Sequence, residues 1–265
     1  MALTFAFSPC PNDTFAFHAL VHGLVDAPAE IEPVLLDIEE LNRHARAASY
    51  DLTKASVGVL PAITADYDVL RSGAALGYGV GPLVVARESR PLDEAVRGRI
   101  AIPGHDTTAF LLLRLLAPAV ADGEVVELRF DRILDAVAGG EVDTGLVIHE
   151  SRFTYANHGL VAVADLGELW EAARSLPLPL ATICARRELD LSLRDGLDRA
   201  IRASVEHAFA YPEASADYVR ANAQELDAEV CRRHIALYVN DFTVDLGDEG
   251  LAAIKALTAA AAGVA

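Results

Sequence analysis

The chain has 265 residues, of which 52% are hydrophobic and 23% are charged. This size and composition suit a large buried core, and we expect two lobes because a single core stops growing at about 250–300 residues. The formal net charge of −17 repels phosphate backbones, which argues against a nucleic-acid partner. No segment reaches the ~20 apolar residues that span a bilayer, and the first residues lack the regions of a signal peptide. We therefore expect a cytoplasmic protein with no membrane partner.

The three cysteines, Cys10, Cys184 and Cys231, lie far apart and form no CxxC pair. Such spacing favours reduced thiols over a disulfide framework or a zinc site. The sequence also has no P-loop and no GxGxxG motif, so a nucleotide cofactor has no support. Cys10 could be a nucleophile, but no neighbouring base is identifiable, and a packed thiol is the simpler interpretation.

From the first residue onward, predicted strands alternate with predicted helices. Residues 4–7 form the first predicted strand, the prolines at 9 and 11 predict an extended loop, and one of residues 12–14 is expected to cap a helix. Further strands are predicted over residues 31–36, 51–57, 99–102 and 125–130 and in a run that ends at His149. Alternation of this kind indicates an α/β protein with mostly parallel sheets.

Two strand-like runs, residues 81–87 and 180–186, are interpreted as crossings between lobes. The chain beyond the second crossing is predicted to be helical. We therefore predict a first lobe of residues 1–87 plus 186–265 and a second lobe of residues 88–185. Two crossings predict a hinge with a central cleft.

The run Leu146-Val147-Ile148 has the composition of a buried strand, and it ends abruptly at His149-Glu150. Open α/β sheets place their chemistry in the crevice beyond the strand ends, and histidine titrates near neutral pH. The alternative is that His149 ends a strand at the surface. Glu150 could orient the imidazole, although neighbouring residues on a strand point to opposite faces.

Two further strand ends carry polar residues. Thr107 and Thr108 follow a small-residue turn where a helix begins, which is a suitable receptor for a carboxylate; ordinary capping by Asp106 or Thr107 is the alternative. Lys54 and Ser56 interrupt an apolar strand, which suggests that the ammonium meets an anion. The alternative for Lys54 is a charged residue that protects an edge strand.

Several blocks together resemble one family. Residues 8–15, Ser-Pro-Cys-Pro-Asn-Asp-Thr-Phe, resemble the N-terminal signature of the 1,4-dihydroxy-6-naphthoate synthases, enzymes of the futalosine route to menaquinone. The resemblance continues in order along nearly the whole chain, through residues 107–109, 145–150, 176–180 and 237–247. The first and last blocks are the specific ones. The family's tryptophan-rich stretch is thinner here, with Trp170 alone.

The resemblance implies a two-lobed fold like the type II periplasmic binding proteins. It also implies a lyase that converts cyclic dehypoxanthine futalosine to 1,4-dihydroxy-6-naphthoate and releases a three-carbon fragment. The implied general base is His149, since histidine, with a reference pKa of about 6.5, can accept a proton near neutral pH. The resemblance further implies a small anionic carboxylate as substrate and no metal or organic cofactor, and we expect a homodimer. The implied substrate-binding residues are Lys54, Ala55, Ser56, Thr107 and Thr108.

Three other functions stay open. Chorismate dehydratase of the same pathway shares the two-lobed fold, although the signature at residues 8–15 and the position of His149 argue against it. A non-catalytic small-carboxylate-binding protein has the same architecture, but a receptor for extracellular solutes is expected to carry an export signal. A cysteine-dependent hydrolase would rely on Cys10.

Overall fold

The computed structural model describes residues 2–223 and 227–263. Its strands form two sheets flanked by helices, which confirms the α/β class. The strands are β1 (Ala2–Phe7), β2 (Glu30–Leu35), β3 (Leu52–Ser56), β4 (Tyr67–Val69), β5 (Ala75–Gly77), β6 (Leu83–Ala86), β7 (Arg99–Ile102), β8 (Glu124–Glu127), β9 (Thr144–Val147), β10 (Val161–Asp165) and β11 (Leu178–Arg186).

The α-helices are α1 (Pro11–Val21), α2 (Ile38–Arg46), α3 (Leu60–Ile63), α4 (Leu92–Ala95), α5 (Thr108–Leu116), α6 (Ile133–Ala138), α7 (Ser151–Thr154), α8 (Leu166–Arg174), α9 (Leu191–Ala210), α10 (Ala216–Asn222), α11 (Ala228–Tyr238), α12 (Asp241–Val244) and α13 (Gly247–Ala261). Short 3₁₀ helices cover Val57–Val59, Pro118–Asp122, Phe130–Arg132, Tyr155–His158 and Pro212–Ser215. Over the described ranges, no helix is both long and apolar enough to cross a membrane.

Both sheets are mixed rather than mostly parallel. The first sheet has the order β2-β1-β3-β11-β4, with β5 also paired to β11, and the second has the order β10-β6-β9-β7-β8. In the first sheet β1 is parallel to β2 and β3, whereas β11 is antiparallel to β3, β4 and β5. In the second, β7 is parallel to β8 and β9, whereas β6 is antiparallel to β9 and β10. Strand–helix–strand units form the parallel part, and β6 and β11, which arrive from the other sheet, run the opposite way.

The two sheets are the centres of two lobes, and the chain crosses between them twice. Because β6 lies in the second sheet and β11 in the first, the crossings precede Leu83 and Leu178. The predicted lobes, 1–87 plus 186–265 and 88–185, differ from this pairing by one strand at each boundary. The runs interpreted as crossings are themselves strands that are buried over most of their length, and an apolar run does not reveal which sheet it joins.

The first helix begins earlier than the sequence predicts. Helix α1 starts at Pro11, a position that accepts proline because its missing N–H has no intrahelical partner there. Cys10 is the N-cap residue and makes no side-chain capping bond. Asn12 and Asp13, predicted as possible caps, lie instead in the first turn, and both are buried. Their side chains therefore form hydrogen bonds inside the protein instead of capping the helix.

The C-terminal helices cover the first lobe. Helix α9 buries Leu197, Ile201 and Val205 on one face and packs against α1, as expected for an amphipathic helix. Leu226, in the C-terminal region that the sequence predicts to be helical, lies outside the described residues. Helix α11 begins at Ala228, and its inner face reaches the region between the lobes. Trp170 of α8 is buried in the core, and its indole N–H donates to the carbonyl of Pro177 at 3.3 Å.

Candidate active site

A cavity of about 570 Å³ has a wall built from both lobes. The first lobe contributes residues of β3, β11, α1 and α11, and the second lobe contributes the start of α5 and the loop after β9. Five of the six predicted site residues line it: Lys54, Ser56, Thr107, Thr108 and His149. The sixth, Ala55, is fully buried in the core, because alternate residues of a strand face opposite sides. The predicted strand ends therefore do meet at one place.

His149 lies two residues beyond the end of β9, on a turn rather than on the strand. Its φ angle of 53° is in the left-handed region, which few residues other than glycine adopt, although histidine does so more often than most. Backbone strain of this kind occurs preferentially at functional sites. The turn also brings together side-chain atoms of Cys10, His149 and Glu150, all within 4.8 Å of one another. Strand alternation therefore does not separate His149 from Glu150, and that argument against Glu150 was wrong.

The surroundings of the His149 ring keep it neutral. Nδ1 lies 3.5 Å from the Sγ atom of Cys10, and Phe130 contacts the ring edge-on at a centroid distance of 4.9 Å. Nε2 is buried and has no hydrogen-bond partner among the described residues. Burial, and to a smaller extent the nearby Lys54 ammonium, lowers the pKa of His149 to about 3. The imidazole is therefore uncharged at neutral pH and can accept a proton.

Cys10 does have a neighbouring base, because its Sγ atom contacts Nδ1 of His149, a residue 139 positions away that local sequence patterns do not connect with it. Burial, followed by the charges of Glu150 and Asp13, raises the pKa of the Cys10 thiol well above its usual value. The sulfur is therefore a protonated thiol, which is a poor nucleophile.

Cys10, His149 and Glu150 together offer one sulfur, one nitrogen and one oxygen ligand, so they are the described residues that could hold a metal ion. Whether the site works without a metal stays a prediction.

Lys54 forms an ion pair with a carboxylate of the protein itself. Its ammonium lies 2.5 and 2.6 Å from the two carboxylate oxygens of Asp13, and both side chains are 3% exposed. Ser8 donates to the same carboxylate from its hydroxyl at 2.5 Å and from its backbone N–H at 3.1 Å. The edge-strand alternative was wrong, because β3 lies between β1 and β11. The predicted anion thus exists, and it comes from the signature block rather than from solution.

His234 and Asn12 are cavity residues that the sequence analysis did not select. His234 on α11 is fully buried, and its Nε2 lies 2.9 Å from the Oδ1 atom of Asn12. Its ring is nearly parallel to that of His149, with centroids 6.2 Å apart. Tyr238, one helical turn later, also lines the cavity, and burial raises its pKa so that the phenol stays protonated. The spacing of His234 and Tyr238 on one helix face was the available signal.

Thr107 and Thr108 use their hydroxyls within the protein. The Thr107 hydroxyl donates to the Gly104 carbonyl at 2.8 Å and accepts from the Phe110 N–H at 3.2 Å, so Thr107 caps α5 as the alternative interpretation expected. The Thr108 hydroxyl donates to the Leu180 carbonyl at 2.6 Å and accepts from the Gly58 N–H at 3.1 Å. What remains for a ligand is the first turn of α5, whose backbone N–H groups precede the first intrahelical bond.

Ser56 faces the cavity with a usable donor. Its hydroxyl oxygen accepts from the side-chain amide of Asn42 at 3.0 Å, and its backbone N–H donates to the same side chain at 2.9 Å. Because an amide N–H can only donate, the first contact occupies a lone pair of Ser56 Oγ and leaves the O–H hydrogen available to the cavity. Asn42 thus fixes the position of Ser56 from both sides.

Further contacts tie the two lobes together beside the cavity. The Glu39 carboxylate accepts from the Asp106 N–H at 3.2 Å, and Arg46 forms a bidentate pair with Asp106 at 2.6 Å. Gly104 is required here, since an added Cβ would lie 2.3 Å from the Glu39 carboxylate. Burial raises the pKa of Glu39 to about 7. The lobes are thus in contact along one side of the cavity.

Two solved structures resemble this fold, and one of them is a periplasmic binding protein. A crystal structure from Archaeoglobus fulgidus is 41% identical, with a TM-score of 0.92 over 99% of this chain and 97% of that chain. The periplasmic aliphatic sulphonate binding protein of Escherichia coli is 14% identical, with a TM-score of 0.67 over 97% of this chain and 85% of its own. At that identity the second likeness shows the fold alone, and it supports the type II periplasmic-binding-protein-like architecture.

Closely similar sequences carry one name. A protein of Thermus thermophilus named 1,4-dihydroxy-6-naphtoate synthase is 53% identical over 260 residues, covering 98% of this chain and 94% of that protein. A protein of Streptomyces coelicolor with the same name is 48% identical over 264 residues, covering 98% and 93%. A family model described as menaquinone biosynthesis matches residues 3–263. Because the match extends over both lobes and every residue of the cavity wall, the chain belongs to this menaquinone-biosynthesis family.

Proposed function

We propose that this protein is a carbon–carbon lyase that converts cyclic dehypoxanthine futalosine to 1,4-dihydroxy-6-naphthoate. The names of two relatives, each matched over 98% of this chain, support the proposal. The structural observation that carries it is the His149 ring, a neutral imidazole with an unpartnered nitrogen on the wall of a cavity between two lobes. We propose that the enzyme works in the cytoplasm without a metal or an organic cofactor.

In the proposed reaction, His149 acts as the general base. Cleavage of a carbon–carbon bond to give an aromatic dihydroxy ring requires removal of a proton, and aromatisation supplies the driving force. We propose the tautomer in which Nδ1 carries the ring hydrogen beside Cys10 Sγ, so that the lone pair is on Nε2; this atom has no hydrogen-bond partner among the described residues and is the proposed acceptor. A bound anionic substrate would favour the imidazolium, which offsets the effect of burial and strengthens the base.

The substrate carboxylate is proposed to bind at the start of α5. The backbone N–H groups of Thr108 and Ala109 belong to the first turn of a nine-residue helix, where the helix dipole favours an anion. The free O–H hydrogen of Ser56 completes the proposed contact from the other lobe. Lys54 contributes little net charge, because Asp13 neutralises it. Donors from both lobes therefore converge on one anion, which favours the closed arrangement.

The experiment compares His149→Ala and His149→Asn with the wild type, using cyclic dehypoxanthine futalosine and following the naphthoate chromophore. Asparagine tolerates the left-handed conformation of this residue, so His149→Asn controls for backbone strain. Both variants are expected to bind substrate and to lose at least ~100-fold in turnover, the usual scale for loss of a general base. Turnover at the wild-type rate in either variant would refute the mechanism.

The same assay separates the other candidate functions. Incubation of the wild type with chorismate tests for the dehydratase, and tight binding of the futalosine substrate without turnover would support a non-catalytic carboxylate-binding protein. The position of His149 on the cavity wall favours the lyase over both. A homodimer stays a prediction, to be checked by light scattering.

A further inference from the structure

His234 takes no part in the proton transfer proposed above, yet it is among the most enclosed polar residues of the cavity wall. It is 0% exposed, and its ring lies beside that of His149. Its Nδ1 atom is buried without a hydrogen-bond partner among the described residues. A buried polar atom without a partner is costly, so a native site that retains one usually has a use for it.

The hydrogen-bond network determines which nitrogen of His234 carries the hydrogen. Lys54 neutralises Asp13, and the Asn12 side-chain amide donates to Asp13 Oδ1 at 2.8 Å. This contact fixes the amide orientation of Asn12 and turns its Oδ1 atom towards His234. Because Oδ1 can only accept, the Nε2 atom of His234 must be the donor.

The other nitrogen is therefore a bare acceptor. Burial, followed by the neighbouring His149 and Lys54, lowers the pKa of His234 well below its usual value, so the ring holds a single hydrogen at neutral pH. That hydrogen is on Nε2, which leaves a lone pair on Nδ1. Nδ1 can accept a hydrogen bond but cannot donate one, so a carboxylate is not a suitable partner for it.

We propose that His234 Nδ1 accepts a hydrogen bond from a hydroxyl of the sugar-derived part of the substrate. This inference rests on the proposed lyase function, and it assigns the polyol end of the ligand to α11 and the carboxylate end to α5. Tyr238, whose ring centroid lies 4.6 Å from that of His234, places a protonated phenol beside the same subsite. An acceptor and a phenol side by side suit a group that carries several hydroxyls.

The first test separates the two ends of the ligand. His234→Phe keeps an aromatic ring and removes both ring nitrogens, and it is combined with His149→Asn so that bound substrate is turned over only slowly. Calorimetry then measures the affinities for the futalosine substrate and for 1,4-dihydroxy-6-naphthoate, which lacks the sugar-derived fragment. We expect at least tenfold weaker binding of the substrate and a change below twofold for the naphthoate. Equal weakening of both ligands, or of neither, would overturn the proposal.

A second test reads the tautomer of His234 in the wild-type protein and the response of its Nδ1 atom to ligands in the His149→Asn variant, where the His234 ring is intact. Nitrogen NMR of ¹⁵N-histidine-labelled protein, with His234 assigned by difference from His234→Phe or His234→Gln, reports the tautomer. The expected spectrum shows an unprotonated Nδ1 that shifts on addition of substrate to the slow His149→Asn variant and is unmoved by the naphthoate. A protonated Nδ1, or no shift with substrate, would contradict the inference. If instead the wild type fails to turn over the substrate, the proposed function fails while the tautomer result still stands.

Discussion

The Sγ atom of Cys10 lies 3.5 Å from the Nδ1 atom of His149, although the two residues are 139 positions apart and belong to different lobes. Cys10 occupies the N-cap position of the first helix of one lobe, and His149 occupies a strained turn after a parallel strand of the other. The contact therefore joins the signature block of residues 8–15 directly to the proposed base. It also occupies the Nδ1 edge of the imidazole, and Nε2 is the ring nitrogen without a hydrogen-bond partner among the described residues.

The first prediction concerns this thiol. Because the Cys10 sulfur is protonated and buried, it does not act as a nucleophile, and Cys10→Ser should retain most of the turnover. The serine hydroxyl keeps a polar partner near Nδ1, whereas Cys10→Ala removes it and should reduce kcat more than Cys10→Ser does. Steady-state kinetics of both variants, with the buried Cys184→Ser as a matched control, provide the measurement. Loss of all activity in Cys10→Ser alone would contradict this prediction and support the cysteine-dependent hydrolase as the function.

The second prediction concerns the pH dependence of catalysis. A general base acts in its deprotonated form, so the rate falls as the pH drops through the pKa of that base. Since the pKa of His149 is lowered to about 3, kcat/KM should stay level from neutral pH down to about pH 5. A profile of kcat/KM against pH checks this, with stability followed at each pH. An acid limb centred near pH 6.5 would show that His149 is not shielded in the free enzyme.

Much of the fold follows from local sequence patterns. The strand predicted over residues 99–102 is observed with the same bounds as β7, because an apolar run with a clear turn after it has one good interpretation. The direction of the antiparallel strands was harder to predict, because β6 and β11 are as apolar as parallel strands. Only their pairing with other strands distinguishes them. Pairing is a long-range property that periodicity does not record.

The candidate site shows the same difference between local features, which the sequence predicts, and long-range contacts, which it does not. Residues that stand out locally were found, such as a histidine at the end of an apolar run and a lysine inside a strand. Their partners were not, because the contacts of Lys54 with Asp13 and of His149 with Cys10 join residues 41 and 139 positions apart. His234 was missed because its spacing from Tyr238 is a weak local signal, and its role depends on a contact with Asn12, which is 222 positions away.

The third prediction concerns acid stability. The pKa values of His149 and His234 are both lowered by burial, so below pH 6.5 the unfolded chain binds protons that the folded protein does not. Their contribution to the free energy of unfolding is therefore complete above pH 6.5 and is lost as the pH falls. The loss at pH 5 is about 2 kcal/mol for one such histidine.

Urea unfolding at pH 7.5 and pH 5 measures this effect. His234→Gln should reduce the difference in unfolding free energy between the two pH values, because glutamine does not titrate. The exposed His105 provides the control, and His105→Gln should leave the difference close to that of the wild type. Equal pH sensitivity in His234→Gln and the wild type would show that this ring is not held neutral.

The fourth prediction concerns the buried ion pair. Lys54→Met leaves the Asp13 carboxylate in the interior with only the donors of Ser8 and Asn12, which should destabilise the protein by about 3–5 kcal/mol. Adding Asp13→Asn to that variant removes the uncompensated charge and should recover part of the loss. Urea unfolding of the two single variants and the double variant gives the coupling. Additive effects would mean that the two side chains do not depend on each other.

The last prediction concerns the start of α5. The Thr107 hydroxyl accepts from the Phe110 N–H, so Thr107→Ala should remove the cap, loosen the first turn and cost about 1 kcal/mol of stability. Because that turn is the proposed carboxylate site, the Michaelis constant should rise several-fold, while kcat changes little since His149 is untouched. Thr107→Ser keeps the cap and serves as the matched control. A Michaelis constant unchanged in Thr107→Ala, despite a measured loss of stability, would place the carboxylate elsewhere in the cavity.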